Sequence, residues 1–123
     1  MEARKILVVE DQPQLRKLLT ITLSYKNHEI LEASDGAQAL QLVAAHKPQI
    51  VLLDVMLPGN LNGFQICDAI KKNPELNKTY VVILTALGQQ SDQEKGKAAG
   101  ADIYMTKPFS PMKLISIIES QVP

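Results

Sequence analysis

Residues with reactive or metal-binding side chains follow four short apolar segments of this sequence. Glu10 and Asp11 follow the first segment and Asp54 follows the second, while Thr85 and Lys107 lie at the ends of the third and fourth. Segments this short and apolar are typical of strands that are buried on both faces of a parallel sheet. The carboxyl ends of parallel strands meet at one edge, where open α/β sheets bind their ligands. The sequence therefore predicts that three carboxylates, a hydroxyl and an ammonium converge on one site.

The three carboxylates favour a metal ion. Like charges at adjacent strand ends repel one another unless a cation neutralises them or one carboxylate stays protonated. Oxygen-only ligands with no His or Cys nearby predict Mg²⁺, with Mn²⁺ as the alternative. Glu10 and Asp11 also suit a helix N-terminus just before Pro13, so helix capping is the other interpretation of that pair. Asp54 directly follows four apolar residues, where a carboxylate without a partner is costly.

The joint position of Thr85 and Lys107 at the same edge of the sheet favours a functional role for both. Taken singly, Thr85 could be an ordinary β-branched strand residue and Lys107 an ordinary surface charge. Together, the ammonium can attract an anion and the hydroxyl can donate to an anionic oxygen. A metal ion, an ammonium and a hydroxyl around a carboxylate suit the transfer of a phosphoryl group to that carboxylate. We therefore expect Asp54 to be a nucleophile that forms an acyl phosphate.

The elements that must position these residues alternate between strand and helix. Strands are predicted at Ile6–Val9, Glu29–Ala33, Ile50–Leu53, Tyr80–Thr85 and Asp102–Thr106. Helices are predicted from Pro13 to about Ser24, after the Ser34-Asp35-Gly36 cap, after Gly63, between Gly88 and Gly100, and after Ser110-Pro111. The first helix has one apolar face, formed by Leu15, Leu18, Leu19 and Leu23. Such alternation predicts one doubly wound parallel α/β sheet.

Length and composition predict a single globular domain over residues 1–123. A chain of 123 residues buries roughly two thirds of the surface that its unfolded form exposes. Thirteen basic and thirteen acidic residues cancel, so direct nucleic-acid binding and an anionic membrane surface are not expected.

The cysteine, the histidines and the hydropathy pattern argue against a disulfide-bonded protein, a histidine-ligated metal site or a membrane protein. The single Cys67 excludes an internal disulfide and suits a small core residue. His28 and His46 are expected to be exposed and uninvolved. Neither a signal peptide nor a membrane-spanning run is present, so we expect a cytoplasmic location and no membrane partner.

Across nearly its whole length the sequence resembles the receiver domain of bacterial two-component response regulators, of the chemotaxis-regulator type. The matching motifs are the acidic pair Glu10-Asp11, the phosphoacceptor Asp54, Thr85 followed by small Ala86, and Lys107 followed by Pro108. The resemblance implies a five-stranded parallel sheet with five helices in the flavodoxin-like strand order 2-1-3-4-5. It also implies a cis peptide bond between Lys107 and Pro108, an isomer that proline makes accessible.

The resemblance also implies a role for each site residue. Glu10, Asp11, Asp54 and the backbone carbonyl of Met56 would hold Mg²⁺. Asp54, Thr85 and Lys107 would be the catalytic residues, with Asp54 phosphorylated, and Thr85 and Tyr104 would form the switch. On strand position alone, Tyr104 could equally be an amphipathic residue at the sheet rim, with its ring packed and its hydroxyl in solvent.

The implied function is a phosphorylation-activated switch in a two-component phosphorelay. A sensor histidine kinase or a phosphotransfer protein would dock at helix one and the loop after strand five and would phosphorylate Asp54. The face formed by helix 4, strand 5 and helix 5 would then change its affinity for a downstream effector protein, a fused output domain or a second copy in a phosphorylation-dependent homodimer. Such a domain catalyses only its own phosphorylation and dephosphorylation, so it is not expected to be an enzyme with a separate substrate. The alternative is a pseudo-receiver that never phosphorylates and acts as a protein interaction module.

The sequence departs from the family pattern in one loop. The segment from Asp54 to Gly63 is one residue longer than is common in the family, and its Gly59 to Asn62 stretch can absorb an insertion. Met56 and Leu87 occupy positions that in the family tune the lifetime of the acyl phosphate. Because both are apolar here, we expect restricted access of water and slower dephosphorylation.

Overall fold

Five strands alternate with five helices, as the sequence predicts. The computed structural model describes residues 3–120 and 122. The strands are β1 Lys5–Val9, β2 Glu29–Ala33, β3 Ile50–Leu53, β4 Tyr80–Thr85 and β5 Ile103–Thr106. The helices are α1 Pro13–Leu23, α2 Gly36–His46, α3 Gly63–Lys72, α4 Gln90–Ala98 and α5 Pro111–Ser120. Observed and predicted ends differ by only one or two residues where both are given.

The strands form one parallel sheet in the order β2-β1-β3-β4-β5. This order confirms the predicted flavodoxin-like fold. The register pairs Val9 with Leu53, so β1 and β3 end level at the carboxyl edge of the sheet, while Leu53 pairs with Ile83 and β4 runs on to Thr85. Since β1 has β2 on one side and β3 on the other, the order in which strands are added to the sheet reverses at β1. Open sheets of this kind bind ligands at that point.

Two apolar layers cover the faces of the sheet. The side chains of α2 and α3, together with Ala99 just after α4, pack on the face that includes Leu7 and Val9. The side chains of α1 and α5 pack on the face that includes Ile6 and Val8. Because both faces are covered, the central strands are apolar at nearly every position rather than at alternate ones.

Side chains at the helix starts satisfy free backbone N–H groups. Asp35 accepts a 2.8 Å hydrogen bond from the Gln38 backbone N at the start of α2. Asn62 and Gln65 form a reciprocal capping box at the start of α3. The Ser110 Oγ accepts a bond from the Lys113 backbone N at the start of α5. These caps fix where each helix begins and so fix the loops that precede them at the carboxyl edge.

Several smaller predictions can be compared with the structure. The Lys107-Pro108 peptide bond is cis, as expected. Cys67 is buried, and its Sγ donates to the Ala99 carbonyl, which confirms it as a core residue. Within the described residues, no helix has the length and apolar character needed to cross a membrane.

Two expectations were wrong. Leu18 is 47% exposed and Ile21 on the same helix is 60% exposed, because only Leu19 and Leu23 of α1 reach the sheet fully. His28 is not an exposed bystander, since its half-buried ring accepts a 2.8 Å hydrogen bond through Nδ1 from the Arg4 backbone N. His46 is exposed, as expected.

Candidate functional site

The ends of β1, β3 and β5 bring Glu10, Asp11, Asp54 and Lys107 together. The Glu10 backbone N donates to the Ala33 carbonyl, and the Asp54 backbone N donates to the Val9 carbonyl. The Lys107 backbone N donates to the Thr85 carbonyl at 2.8 Å. These bonds continue the sheet ladder one step beyond the strands, so the reactive side chains are held by the rigid part of the fold rather than by flexible loops.

Glu10, Asp11 and Asp54 form the acidic cluster of the site. Each contributes one carboxylate oxygen to a group of atoms that all lie within 4.8 Å of one another. Glu10 and Asp54 are only 1% and 6% exposed, while Asp11 is exposed to solvent. A compact set of carboxylate oxygens, open on one side, fits a hard divalent cation that keeps some of its water ligands. The donor set therefore fits Mg²⁺.

Lys107 is the cation that already lies against this cluster. Its Nζ is 2.8 Å from Glu10 Oε1 and 2.9 Å from Asp54 Oδ2, and its side chain is 18% exposed. The interpretation of Lys107 as an ordinary surface charge is therefore wrong. Burial opposes the charged form of Lys107, but the two carboxylates outweigh it and raise the pKa of the ammonium.

The pKa of Glu10 is higher than that of an ordinary surface acid. Burial raises the pKa of Glu10 and outweighs the hydrogen bonds that Lys107 and the Gln12 backbone N donate to it, while the charge of Asp54 raises it further. Gln12, not an acid, is the N-cap of α1, and its side chain makes no capping hydrogen bond. The geometry thus favours the cluster interpretation of Glu10 and Asp11 over the helix-capping one.

Glycine at position 63 lets α3 approach Asp54 closely. The Gly63 backbone N donates to the Val55 carbonyl at 3.0 Å. A Cβ atom at Gly63 would lie 2.7 Å from the Val55 Cα and would overlap the Asp54 carbonyl oxygen. The Asp54 carboxylate itself accepts a 3.2 Å hydrogen bond at Oδ1 from the Met56 backbone N. The predicted role of the Met56 carbonyl as a metal ligand stays a prediction.

Thr85 and Tyr104 are joined through Leu87. Thr85 is fully buried, and its Oγ1 accepts a long 3.4 Å bond from the Leu87 backbone N. The Tyr104 hydroxyl donates a 2.6 Å hydrogen bond to the Leu87 carbonyl. The alternative in which this hydroxyl points into solvent is therefore wrong. Burial, together with the negative charges of Asp92 and Asp54, raises the pKa of Tyr104.

Sequence reasoning missed Arg16 as a residue that supports the site. Its Nη1 donates to the Glu10 carbonyl at 2.8 Å, and its Nε lies 3.1 Å from Glu32 Oε1. The guanidinium thus ties α1 to the chain at the acidic pair and to the end of β2. The Glu32 contact depends on the pairing of β1 with β2, so no local pattern in the sequence could have shown it.

The loop after Asp54 is exposed to solvent around Gly59 and Asn60, where its extra residue can be accommodated. Gly59 is exposed and has a φ of +91°, which favours glycine. Leu61 turns back and packs against α2, where a Cβ at Gly36 would lie 2.8 Å from the Leu61 Cβ. The loop is therefore anchored at Leu61 before α3 begins, and the insertion leaves the Gly63 contact with β3 in place.

Comparison with known proteins identifies relatives over the whole described site. The family model of the response regulator receiver domain matches residues 6–119. The probable transcriptional regulator ycf27 of Cyanophora paradoxa is 39% identical over 117 residues, which cover 95% of this chain and 47% of that protein. The chain spans about half the length of the curated relatives it matches.

Solved structures with the same fold include other receiver proteins. The chemotaxis protein CheY4 of Vibrio cholerae superposes with a TM-score of 0.89 at 27% identity, covering 99% of this chain and 100% of that one. A BeF3-activated DrrB receiver domain superposes with a TM-score of 0.86 at 33% identity, covering 96% of each chain.

Proposed function

Because this chain belongs to the response regulator receiver domain family, we propose that it is a phosphorylation-operated switch in two-component signalling. The observation that carries the proposal is the Lys107 ammonium between the Glu10 and Asp54 carboxylates, beside exposed Asp11. This arrangement provides a buried nucleophile, a fixed positive charge and a set of oxygen ligands for a cation. A domain of this fold that served only as a scaffold would have no need to bury two carboxylates together.

Asp54 is the nucleophile in the proposed reaction. One of its carboxylate oxygens attacks the phosphorus of a phosphohistidine or a small phosphodonor, a P–O bond forms, and the P–N or P–O bond to the leaving group breaks. Lys107 stabilises the negative charge on the phosphoryl oxygens in the transition state. In the reverse direction of signalling, water attacks the same phosphorus, and the P–O bond to Asp54 breaks to release inorganic phosphate.

Glu10, Asp11 and Asp54 would hold Mg²⁺, with the Met56 carbonyl as the expected fourth protein ligand. When bound, the ion neutralises charge on the transferring group and on the carboxylates. Lys107 orients the Asp54 carboxylate through its 2.9 Å contact with Oδ2, so the nucleophile needs no rearrangement of the backbone to react.

Switching would follow from the contacts of Thr85. When Asp54 carries a phosphoryl group, the Thr85 hydroxyl is expected to donate to it. This movement of Thr85 would pull the segment that includes Leu87. Since Leu87 also binds the Tyr104 hydroxyl, the position of Tyr104 responds to the same event. The resulting population shift would change the surface formed by α4, β5 and α5.

Partners follow from the same proposal. A histidine kinase or phosphotransfer protein would approach the carboxyl edge, and exposed Leu18 and Ile21 on α1 offer apolar surface for its docking. The signal would pass to an effector protein, a fused output domain or a second copy of the chain. In this proposal the domain acts in the cytoplasm, turns over no separate substrate and contacts no nucleic acid directly.

The test is the intact mass of the chain after treatment with acetyl phosphate or phosphoramidate. We expect a gain of one phosphoryl group that needs Mg²⁺, disappears with a chelator and is absent from Asp54→Ala. A matched variant, Asp68→Ala, removes an acid from the surface of α3 and should still be phosphorylated.

Failure of both donors with folded protein and Mg²⁺ would contradict the proposal. The chain would then be assigned to the alternative class, an interaction module of the same fold that signals without phosphorylation.

A further inference from the structure

Helix α4 has almost no apolar side chain with which to bind the rest of the domain. Its sequence is QSDQEKGKA, and Gly96 is its one buried residue. Most surface helices are held by an apolar stripe that faces the core. Here the contact that replaces the stripe is between the bare backbone at Gly96 and the aromatic ring of Tyr104.

The space between Gly96 and Tyr104 leaves no room for a side chain. A Cβ atom at Gly96 would lie 2.6 Å from Tyr104 Cδ2 and 3.0 Å from Cε2. It would also lie 3.5 Å from the Ile83 Cδ1 of the underlying strand, which is an ordinary contact. The obstruction therefore comes from the Tyr104 ring alone, and a methyl group at position 96 would have to displace either the ring or the helix.

We propose that Gly96 is a positioning residue that provides the seat for the inward Tyr104 ring and thereby couples α4 to the phosphorylation site. The regulatory part of this inference rests on the proposed function, while the seat itself does not. A path of direct contacts leads from Gly96 to the Tyr104 ring, from the Tyr104 hydroxyl to the Leu87 carbonyl, and from the Leu87 backbone N to Thr85 Oγ1.

The seat explains why glycine stands inside a helix. Glycine in a helix interior lowers helix stability relative to alanine, and α4 has little other stabilisation. Ordinarily, Gly96→Ala would stabilise such a helix. With the Tyr104 ring against the backbone, the same change is destabilising, so the sign of its effect reports whether the ring occupies the seat.

A double-mutant cycle tests the seat without any phosphorylation. We expect Gly96→Ala to lower the melting temperature of the wild-type chain by about 4 °C. In the Tyr104→Ala background the same substitution should raise the melting temperature. Lys97→Gly and Lys97→Ala, at the exposed neighbouring position, give the ordinary difference between the two residues on this helix. That difference should be the same in both backgrounds.

The regulatory part is tested by ¹⁹F NMR of chains labelled with fluorotyrosine. The chain has three tyrosines, and Tyr104→Phe, which accepts no label, assigns the signal of Tyr104. In the wild-type chain we expect this signal to shift when acetyl phosphate and Mg²⁺ are added. In Gly96→Ala we expect the same mass gain but no shift, because the displaced ring no longer keeps its hydroxyl on the Leu87 carbonyl and so does not follow the movement of Thr85.

The outcomes separate the two proposals. A stabilising effect of Gly96→Ala in the wild-type background would overturn the seat. Mass gain in both chains with the same Tyr104 shift would overturn the coupling. Absence of mass gain in both chains would contradict the proposed function and with it the coupling, while the sign inversion in the cycle would still establish the seat.

Discussion

At the scale of single residues, Lys107 is what allows Glu10 and Asp54 to be buried side by side. Two carboxylates in one poorly solvated place repel each other, and one ammonium in contact with both offsets that repulsion. The exposed Asp11 completes the acidic cluster but pays little desolvation cost. The site is therefore close to electrostatic balance when a divalent cation joins Lys107.

Removal of the ammonium should destabilise the fold. We expect Lys107→Ala to lower the free energy of unfolding by about 2 kcal/mol in the presence of a chelator, because it leaves two buried carboxylates without their cation. Mg²⁺ should restore more stability to this variant than it adds to the wild-type chain. Urea denaturation with chelator and with Mg²⁺ measures both effects.

Lys17→Ala, an exposed lysine on α1, is the control and should change stability by no more than about 0.5 kcal/mol. Equal stability of the two variants in chelator would show that the buried ion pairs contribute nothing net.

The apolar residues beside Asp54 should set the lifetime of the acyl phosphate. The exposed Met56 side chain and the half-buried Leu87 side chain offer no polar group that could hold an attacking water. We expect the pair of changes Met56→Asn and Leu87→Asn to shorten the half-life several-fold, as measured by loss of the phosphoryl mass after removal of the donor. Asn60→Ala, in the exposed loop, is the control. An unchanged half-life in the double variant would remove support for the water-exclusion hypothesis.

At the scale of elements, the start of α3 and the end of β3 behave as one unit. The capping box at Asn62 fixes where α3 begins, and the absence of a side chain at Gly63 lets the helix rest on the Asp54-Val55 backbone. The longer loop between them is pinned by Leu61 against Gly36 of α2. Packing of three elements thus orients Asp54.

Substitution by alanine should change stability very differently at Gly59, in this loop, and at Gly63, the first residue of α3. Gly63→Ala is expected to lower the free energy of unfolding by about 3 kcal/mol, because its Cβ would meet fixed backbone atoms. Gly59→Ala meets no atom within 4 Å and should lose only about 1 kcal/mol through its left-handed φ. Urea denaturation compares them, and similar losses at both positions would refute the close packing of α3 on β3.

At the scale of the whole molecule, the two edges of the sheet have different roles. The carboxyl edge gathers the charged groups of the candidate site. At the opposite edge, contacts between distant segments close the domain. His28 accepts from the Arg4 backbone N, and an Arg4 guanidinium nitrogen donates to the Val122 carbonyl. Residues near the two ends of the chain thus meet beside His28.

Stability should depend on pH through His28. Burial lowers the pKa of His28, and its Nδ1 must be unprotonated to accept the Arg4 hydrogen bond. The unfolded chain then binds a proton more readily than the folded chain, so stability is full above the unfolded pKa of about 6.5 and declines as the pH falls below it. Between pH 7.5 and 5.0 the melting temperature of wild type should fall about 3 °C further than that of His28→Asn, which keeps an acceptor but does not titrate.

His46→Asn, at an exposed position, should follow the wild-type pH profile. The raised pKa of Glu10 affects all three proteins alike and cancels in the comparison. Parallel profiles for wild type and His28→Asn would show that His28 does not titrate differently on folding.

The sequence by itself determined the order of elements, the direction of the strands and which residues the strand ends bring to the candidate site. Short apolar runs alternating with helical patterns leave a doubly wound parallel sheet as the fold that buries them all, and a parallel sheet must bring its strand ends to one edge. The starts of α2 and α5 were also predictable because Asp35 and Ser110 cap through contacts within a few residues. These are all consequences of local pattern and of backbone hydrogen bonding.

The tertiary structure alone decided which side chains meet and how closely. The bond from Arg16 to Glu10, the exposure of Leu18, the partner of His28 and the seat of Tyr104 on Gly96 all depend on how one element packs against another. A glycine in a helix or an arginine near an acid occurs for many reasons, and only packing selects among them. The acidic cluster and Lys107 could be predicted because strand ends position them, whereas the contacts that surround and orient them result from how α1, α3 and α4 pack on the sheet.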